Sequence, residues 1–553
     1  MKRPTRMVAL AAVFSLALTA CSTSVSQKPE ASGPAPTSVD RLRLPGADRG
    51  YPTPFAYLKG PGLVHVNFVF DTLIWKDSTG AYIPWLAQSW ERSADGTEYR
   101  FVLRDGVTWQ DGQPLTADDV VFTFDYITKG AGAGATQFIG KPNVKEVVAE
   151  APNVVVVRLP GPSALFEPTV AGRVPIIPRH IWESVTDPVK YLDAKAVIGS
   201  GPYRLESYDR STGSYLYVAN EAYFLGAPYV KRLEFVPSAN EILSLQRGDL
   251  DLATAGIENL EEPIPDEVFA ALQADAKLAV ITAPGEANRS LHFNLTRGFP
   301  YDDKRFRQAI AYTIDRADLV KRILFGRGEA GSAGNLAPSH QYLAPDLPVY
   351  AKDLVKAKAL LDEIGLRDVN GDGFRDLPDG SAFKPELQAN SLFSTKTPEL
   401  IKEYLRAVGI DIDIKVLDQA TSDANGTQAR YDMALFTYGG MGGDPDFLRT
   451  RLSAKAPATV YSKIHGFNNA RFEELAAKQA ATLNEADRKP LVQEMQRIVA
   501  DELPLLSLYV PSRILLSAPG TFDAWYFTPG GLFGLHPGPL NKQAFVTGKK
   551  TGV

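Results

Sequence analysis

Alternating apolar and polar positions outline the folded body of the chain. In Tyr99-Arg100-Phe101-Val102-Leu103 apolar residues fall at every second position and the turn Asp105-Gly106 follows, which predicts a half-buried strand. A spacing of three to four marks the helices. Val120, Phe124 and Ile127 share one face behind Thr116 and Asp119, a capping box, and Gly130 suits the stop. Phe306, Ile310 and Ile314 predict a second helix after Asp302-Asp303. Leu354, Ala357, Leu361 and Ile364 predict a third, ended by Gly365. A fourth opens with Thr397 as N-cap and Pro398 as first residue and closes at Gly409, after which Ile410, Ile412, Ile414 and Val416 alternate as a strand. A last helix over 485–502 runs into the apolar segment 505–510, and 66–70 reads as an apolar strand. Helix followed directly by strand predicts an α/β layer structure.

The first residues follow another pattern. Lys2, Arg3 and Arg6 precede an apolar stretch over 7–18, shorter than the roughly 20 residues of a permanent membrane helix, so this is read as an export signal. Leu18-Thr19-Ala20-Cys21 resembles a bacterial lipobox, which implies removal of the signal peptide 1–20 and diacylation of Cys21. Residues 21–41 are rich in Ser, Thr, Pro, Ala and Gly and form the expected flexible tether. No later apolar run reaches spanning length. The expected location is therefore extracytoplasmic, lipid-anchored to the cell membrane and not threaded through it.

Composition narrows the function. The 553 residues are 44% hydrophobic and 22% charged, as in ordinary soluble proteins, and make up several domains. A formal charge of −5 offers no basic field for nucleic acid. The one cysteine excludes an internal disulfide and clustered-thiol metal sites. Three classes survive: a solute receptor for a transporter, a secreted hydrolase, and a surface adhesin or sensor. Neither Gly-x-Ser-x-Gly nor His-Glu-x-x-His occurs, so no catalytic residue is assigned and the protein is not expected to be an enzyme.

One long block runs from Pro84-Trp85-Leu86-Ala87-Gln88-Ser89-Trp90 through Tyr99-Arg100-Phe101-Val102-Leu103-Arg104-Asp105-Gly106-Val107-Thr108-Trp109 to Asp111-Gly112-Gln113-Pro114-Leu115-Thr116-Ala117-Asp118-Asp119-Val120. It resembles the signature of family 5 solute-binding proteins, the peptide, nickel and oligosaccharide receptors of ABC importers. Gly199-Ser200-Gly201-Pro202-Tyr203, the stretch 220–228, Leu291-His292-Phe293-Asn294-Leu295 and Ile314-Asp315-Arg316 resemble later parts of that family in the same order. The resemblance implies an α/β, periplasmic-binding-protein-like two-lobed fold of class II, cluster C type, with an extra inserted domain. Lobe I would comprise 42–75, 195–289 and 506–553, the inserted domain II 76–194, and lobe III 290–505. It further implies a monomer that closes on a peptide-like or other mid-sized polar ligand and delivers it to the permease subunits of an ABC importer, with no required cofactor. A peptide-sensing lipoprotein for signalling is the alternative. Trp85, Trp90, Trp109, Phe122 and Phe124 are read as core aromatics, and the Asp-Gly pairs at 95, 105 and 111 as turns.

Tyr438-Gly439-Gly440-Met441-Gly442-Gly443-Asp444-Pro445-Asp446 suits a loop that lets a ligand approach the backbone closely. In peptide-binding relatives an Asp of this loop holds the α-ammonium, and the matching position here is Met441, whose thioether cannot pair with it. Asp444 and Asp446 either take a cationic or hydroxyl-rich ligand or cap the turn and the next helix. Tyr438, Gly439, Gly440 and Met441 are the main cleft candidates. Phe55 and Tyr57 are added because the family's equivalent segment lines the cleft, with a plain surface loop as the other reading. The six histidines are scattered without metal-ligand spacing. Asp368, Asn370, Asp372, Phe374 (through its carbonyl), Asp376 and Asp379 occupy the ligand positions of a calcium loop with Gly373 at its sixth position, so a structural Ca²⁺ stands beside a simple Asp/Gly-rich turn.

Overall fold

Four strands open the body: Leu42–Gly46, Arg232–Pro237, Ser214–Ala219 and Tyr203–Asp209 lie side by side in that order, the first pair parallel and the others antiparallel. The computed structural model that shows this describes residues 38–133, 139, 141–254, 264–393, 395–456, 463–532 and 538–550. A second sheet, Ala87–Arg92, Glu98–Leu103, Val154–Arg158 and Glu146–Ala151 in that order, is antiparallel throughout. Tyr99, Phe101 and Leu103 point inward from its second strand, as the alternation requires. The helix Ala117–Thr128 packs on this sheet, and its capping box forms as expected, with Thr116 N–H donating to Asp119 Oδ2 at 2.9 Å. The other oxygen of Asp119 accepts from Arg179 N–H at 3.0 Å, so one carboxylate fixes a helix start and a distant loop. Trp85, Trp109 and Phe124 are buried, while Trp90 and Phe122 are partly covered. One apolar core runs through both sheets, so the inserted segment is continuous with the lobe that carries it.

The other lobe is built on six strands ordered Gly328–Ala330, Leu505–Pro511, Asn288–Phe293, Met433–Tyr438, Glu386–Asn390 and Asp413–Leu417. Its central strands Asn288–Phe293 and Leu505–Pro511 are buried at every position. The helices Lys304–Thr313, Arg316–Leu324, Leu354–Glu363 and Lys396–Arg406 contribute to its core. The pair Ala470–Ala481 and Glu485–Glu502 adds a second core beside it. Toward the edge the expected alternation fades: Ile410 and Ile412 are buried, but Val416 is exposed on the outermost strand.

Two strands cross between the lobes. Ala279–Ala283 pairs with Arg513–Ser517 in a small three-stranded sheet, and Asn288–Phe293 pairs with Leu505–Pro511 in the six-stranded one. The crossings therefore fall at 284–287 and at Ser512, and the boundaries drawn at 290 and 505 lie within or at the end of paired strands. The two segments touch closely, since a Cβ on Gly285 would meet Pro511 O at 2.0 Å.

Two local expectations fail for physical reasons. The segment 66–70 is not a strand: Lys59–Val69 is a helix, with Pro61 tolerated in its first turn and Leu63, Val66, Phe68 and Val69 all buried. The helix containing Pro398 begins at Lys396 instead of capping on Thr397, whose buried hydroxyl is engaged with Tyr509 OH at 2.8 Å.

The larger lobe closes around a buried ion pair. Asp71 and Lys542 are both fully shielded and bonded to each other. Asp71 also accepts from Trp85 Nε1 at 2.7 Å, Ser200 Oγ at 3.1 Å and Tyr223 OH at 3.1 Å. The Lys542 ammonium lies 4.3 Å from the centre of the Trp75 ring. Burial pulls the Lys542 pKa down and the Asp71 charge opposes it. Such a pair adds little net stability, but losing one partner leaves an uncompensated charge in the interior. No helix among the described residues is long and apolar enough to cross a membrane.

Candidate functional site

The glycine-rich loop after Met433–Tyr438 is where the lobes meet. It turns at Gly440 (φ 91°) and is held from its own lobe by Ala337 N–H donating to Met441 O at 3.3 Å and by His340 Nε2 against Gly443 O at 2.8 Å. Because His340 Nδ1 accepts from Tyr342 N–H at 3.0 Å, Nε2 carries the proton, and burial holds the imidazole below its ordinary pKa. Across the contact stands the turn at Gly530 and Gly531. A Cβ on Gly530 would lie 2.9 Å from Gly443 Cα, so the two backbones approach as only glycines allow.

Glu286, from one crossing segment, joins the parts. Its carbonyl accepts from Met441 N–H at 3.2 Å, and its carboxylate accepts from Gly530 N–H at 2.9 Å and lies 3.5 Å from Arg513 on the other crossing strand. A Cβ on Gly442 would fall 2.1 Å from the Glu286 carboxyl carbon. Burial raises the Glu286 pKa against the opposing pull of Arg513, the Gly530 N–H and Lys76. Lys76 donates to Gly531 O at 3.3 Å, and burial lowers its pKa while Glu286 and Asp444 act to raise it. The inserted domain closes the rim, with Ala164 N–H donating to Ala480 O at 2.8 Å and Gly96 seated against Leu483. The lobes are thus in contact on both sides of the loop, as in a closed clasp.

The two loop carboxylates are occupied. Asp444 receives both ends of the Arg488 guanidinium at 2.8 and 2.6 Å, and its Oδ1 also accepts from Asp446 N–H at 2.8 Å, the turn-capping role. Asp446 takes Arg449 at 2.6 Å through each oxygen and Gln479 at 2.6 Å; burial raises its pKa and Arg449 opposes the rise. Neither is a free anchor for a cation. Tyr438 and Met441 are buried with Ala337, Tyr431 and Phe436, and Tyr438 OH donates to Asn335 Oδ1 at 3.2 Å. Their side chains support the loop, leaving the surface to Gly439, Gly442 and Gly443, which keep partial exposure. Phe55 is a core residue, 5.0 Å from Trp182 and 5.6 Å from Tyr126 between ring centres. Tyr57 is buried near Arg173.

Cys21 lies outside the described residues. In the segment 368–379 the oxygens are taken by backbone N–H groups. Asp368 accepts from Gly371 at 2.6 Å and Gly373 at 2.9 Å, Asn370 from Asp372 at 2.8 Å, Asp372 from Phe374 at 2.8 Å and Asp376 from Val369 at 3.0 Å. Asp379 makes a separate turn with Ser381. No three His, Cys, Asp or Glu side chains gather as metal ligands among the described residues. These contacts describe a turn that packs on Gly409 through Arg375, whose Nε donates to Val408 O at 2.7 Å. An open depression lined by Arg43, Pro237, Asn240, Leu243, Arg247 and Asp249 draws on one lobe alone and takes no part in the lobe contact.

Sequence reasoning missed Lys76, Tyr82, Arg173, Glu286, Arg513 and Gly530. A signal existed for two: Glu286 is the lone acid between apolar strands, and Gly530-Gly531 is a doubled glycine like the two in the 439–443 loop.

Two lobes joined by a pair of crossing strands and meeting through bare backbone define a hinged solute-binding protein. The chain matches the profile of bacterial extracellular solute-binding proteins, family 5 Middle, over residues 81–459, and it belongs to that family. It is 28% identical over 467 residues to the probable di/tripeptide-binding protein 5 of Pseudomonas aeruginosa, covering 79% of this chain and 83% of the relative. It is 26% identical to the oligopeptide-binding protein AppA of Bacillus subtilis, over 95% and 96% of the two chains. Among solved structures, the periplasmic binding protein DppA from Helicobacter pylori in complex with the peptide STSA superposes with a TM-score of 0.73 at 22% identity, covering 91% of this chain and 99% of that one. The fold class expected from the sequence is the one observed.

Proposed function

We propose that this protein captures a peptide-like ligand between its lobes outside the cytoplasm and delivers it to an ABC importer, acting by binding and not by turnover. The supporting observation is the hinge: crossings at 284–287 and Ser512 beside a contact made of Gly442, Gly443 and Gly530. Ligand held by both lobes stabilises the closed state by its differential affinity for it. The relatives bound to peptides make peptides the first ligands to try. The expected result is a melting temperature raised by peptides with no product formed. Hydrolysis of ester, peptide or glycoside substrates by the pure protein would overturn the reading.

A lipid on Cys21 completes the proposal by keeping a monomeric receptor at the membrane. Cys21→Ser is expected to move the protein from the membrane to the soluble extracytoplasmic fraction, and unchanged membrane retention would count against the anchor.

A further inference from the structure

Two Asn-Gly pairs occur in the chain, at 370–371 and 425–426, and the fold treats them in opposite ways. Such a pair can react with itself. The peptide nitrogen that follows the asparagine attacks the side-chain carbonyl carbon, and a glycine there has no Cβ to obstruct the approach.

Asn370 and Gly371 are both exposed in the turn that follows the helix Leu354–Glu363. Asn370 Oδ1 accepts from Asp372 N–H at 2.8 Å, which folds the side chain back along the Gly371 peptide and polarises the carbonyl that would be attacked. A Cβ built on Gly371 meets nothing within 4 Å, so a ring closing there has room. The amide end is held only by Asp376 Oδ1, at 3.4 Å. One group restrains the pair: Gly371 N–H donates to Asp368 Oδ1 at 2.6 Å. The nitrogen attacks only after shedding its proton. Asp368 holds that proton and sets a negative charge beside the nitrogen, which disfavours its anion.

Asn425 is the contrast. It lies in the helix Gln419–Thr427, its amide donates to Gln388 Oε1 at 3.1 Å, and Gly426 is buried with its carbonyl against His465 Nε2 at 2.6 Å. Ring closure at this pair requires the helix to unwind.

We propose that Asn370 is a self-modification site, where the chain converts its own amide to aspartate and isoaspartate at a rate governed by Asp368. Hydroxide takes the Gly371 N–H proton, the bond from that nitrogen to Asn370 Cγ forms, the Cγ–Nδ2 bond breaks, and the amide leaves as ammonia with a proton from water. Water then opens the cyclic imide. Cleavage of the new bond to Cγ gives aspartate, and cleavage of the bond to the main-chain carbonyl carbon gives isoaspartate. Either product sets a carboxylate against Asp376, which accepts from Val369 N–H and Asn370 Nδ2, and so loosens the turn that packs on Gly409.

The test ages the full chain in mildly alkaline buffer beside a sample in concentrated urea, and follows both asparagines by peptide mass spectrometry with chromatographic separation of aspartate from isoaspartate. The expected result in buffer is conversion of Asn370 to both products while Asn425 stays intact; in urea both convert. Asp368→Ala should speed Asn370 in buffer roughly tenfold to a hundredfold, the factor carried by one hydrogen bond to a charged group, and bring it close to its rate in urea. An intact Asn425 in this variant shows that the lobe is still folded. If Asn425 converts as well, Asp368→Asn decides, since it keeps an acceptor without the charge and should give a smaller acceleration. Asn370 intact in buffer in every protein, or aspartate as the only product, overturns the site. Equal rates with and without the Asp368 carboxylate overturn its control of the reaction.

Discussion

Gly442→Ala should loosen the closed arrangement without unfolding either lobe. The added Cβ would lie 2.1 Å from the Glu286 carboxyl carbon and 2.4 Å from Oε2. The loop cannot easily retreat, because Met441 N–H and Gly443 O are tied down at 3.2 and 2.8 Å. The carboxylate must swing instead, losing the Gly530 N–H at 2.9 Å and its approach to Arg513. A hydrogen bond to a charged group contributes about 1.5–3 kcal/mol, so the closed-to-open ratio should fall roughly tenfold to a hundredfold. Small-angle scattering of the unliganded protein reads this as a larger radius of gyration, with urea unfolding as the control for folding. The double variant separates causes: if Glu286 is what the methyl displaces, Gly442→Ala added to Glu286→Ala has little further effect. An unchanged scattering curve, or equal expansion in the Glu286→Ala background, would refute the reasoning.

Other expectations are simpler to check. Lys542→Met should lower unfolding free energy by about 3–5 kcal/mol by stranding Asp71, and Asp71→Asn in the same chain should recover most of it; urea midpoints that do not recover would deny the pairing. Burial lowers the His65 and His292 pKa values to about 3. The unfolded chain therefore binds more protons, and this stability is full above an ordinary histidine pKa of about 6.5 and is lost as pH falls toward 3. Between pH 6 and 5 the two together should give a slope of up to about 2.7 kcal/mol per pH unit, and a flat urea profile there would contradict neutral burial. Asp119→Ala removes acceptors from Thr116 and Arg179 N–H and should cost about 1–2 kcal/mol by thermal melting, against a smaller loss for Thr116→Ala.

Local chemistry was legible where one short segment decides the outcome. The strand through Tyr99 and Phe101, the Thr116–Asp119 box and the stops at Gly365 (φ 85°) and Gly409 (φ 80°) each depend on neighbours a few residues away. The helix Lys59–Val69 was not legible, because a short run buried on all sides has no polar face to reveal its period, and the adjoining Pro and Gly suggested a loop. Thr397 was misplaced for a similar reason: its preference for capping lost to a tertiary partner, Tyr509. At the site the glycine-rich loop was visible, but its counterparts Lys76, Glu286 and Gly530 come from segments hundreds of residues apart. Whether Tyr438 and Met441 face a ligand or the core depends on packing that spacing does not encode.

The buried Asp71–Lys542 pair also bears on the order of assembly. The core it completes draws on residues as early as Val39 and as late as Val546. A chain delivered amino end first cannot finish this lobe until the segment 542–546 has emerged. The inserted domain, which shares that core, waits with it, while the second lobe has cores of its own. With 471 positions between its two members, the pair forms only when both ends of this core are present, so the larger lobe locks as a late step of assembly.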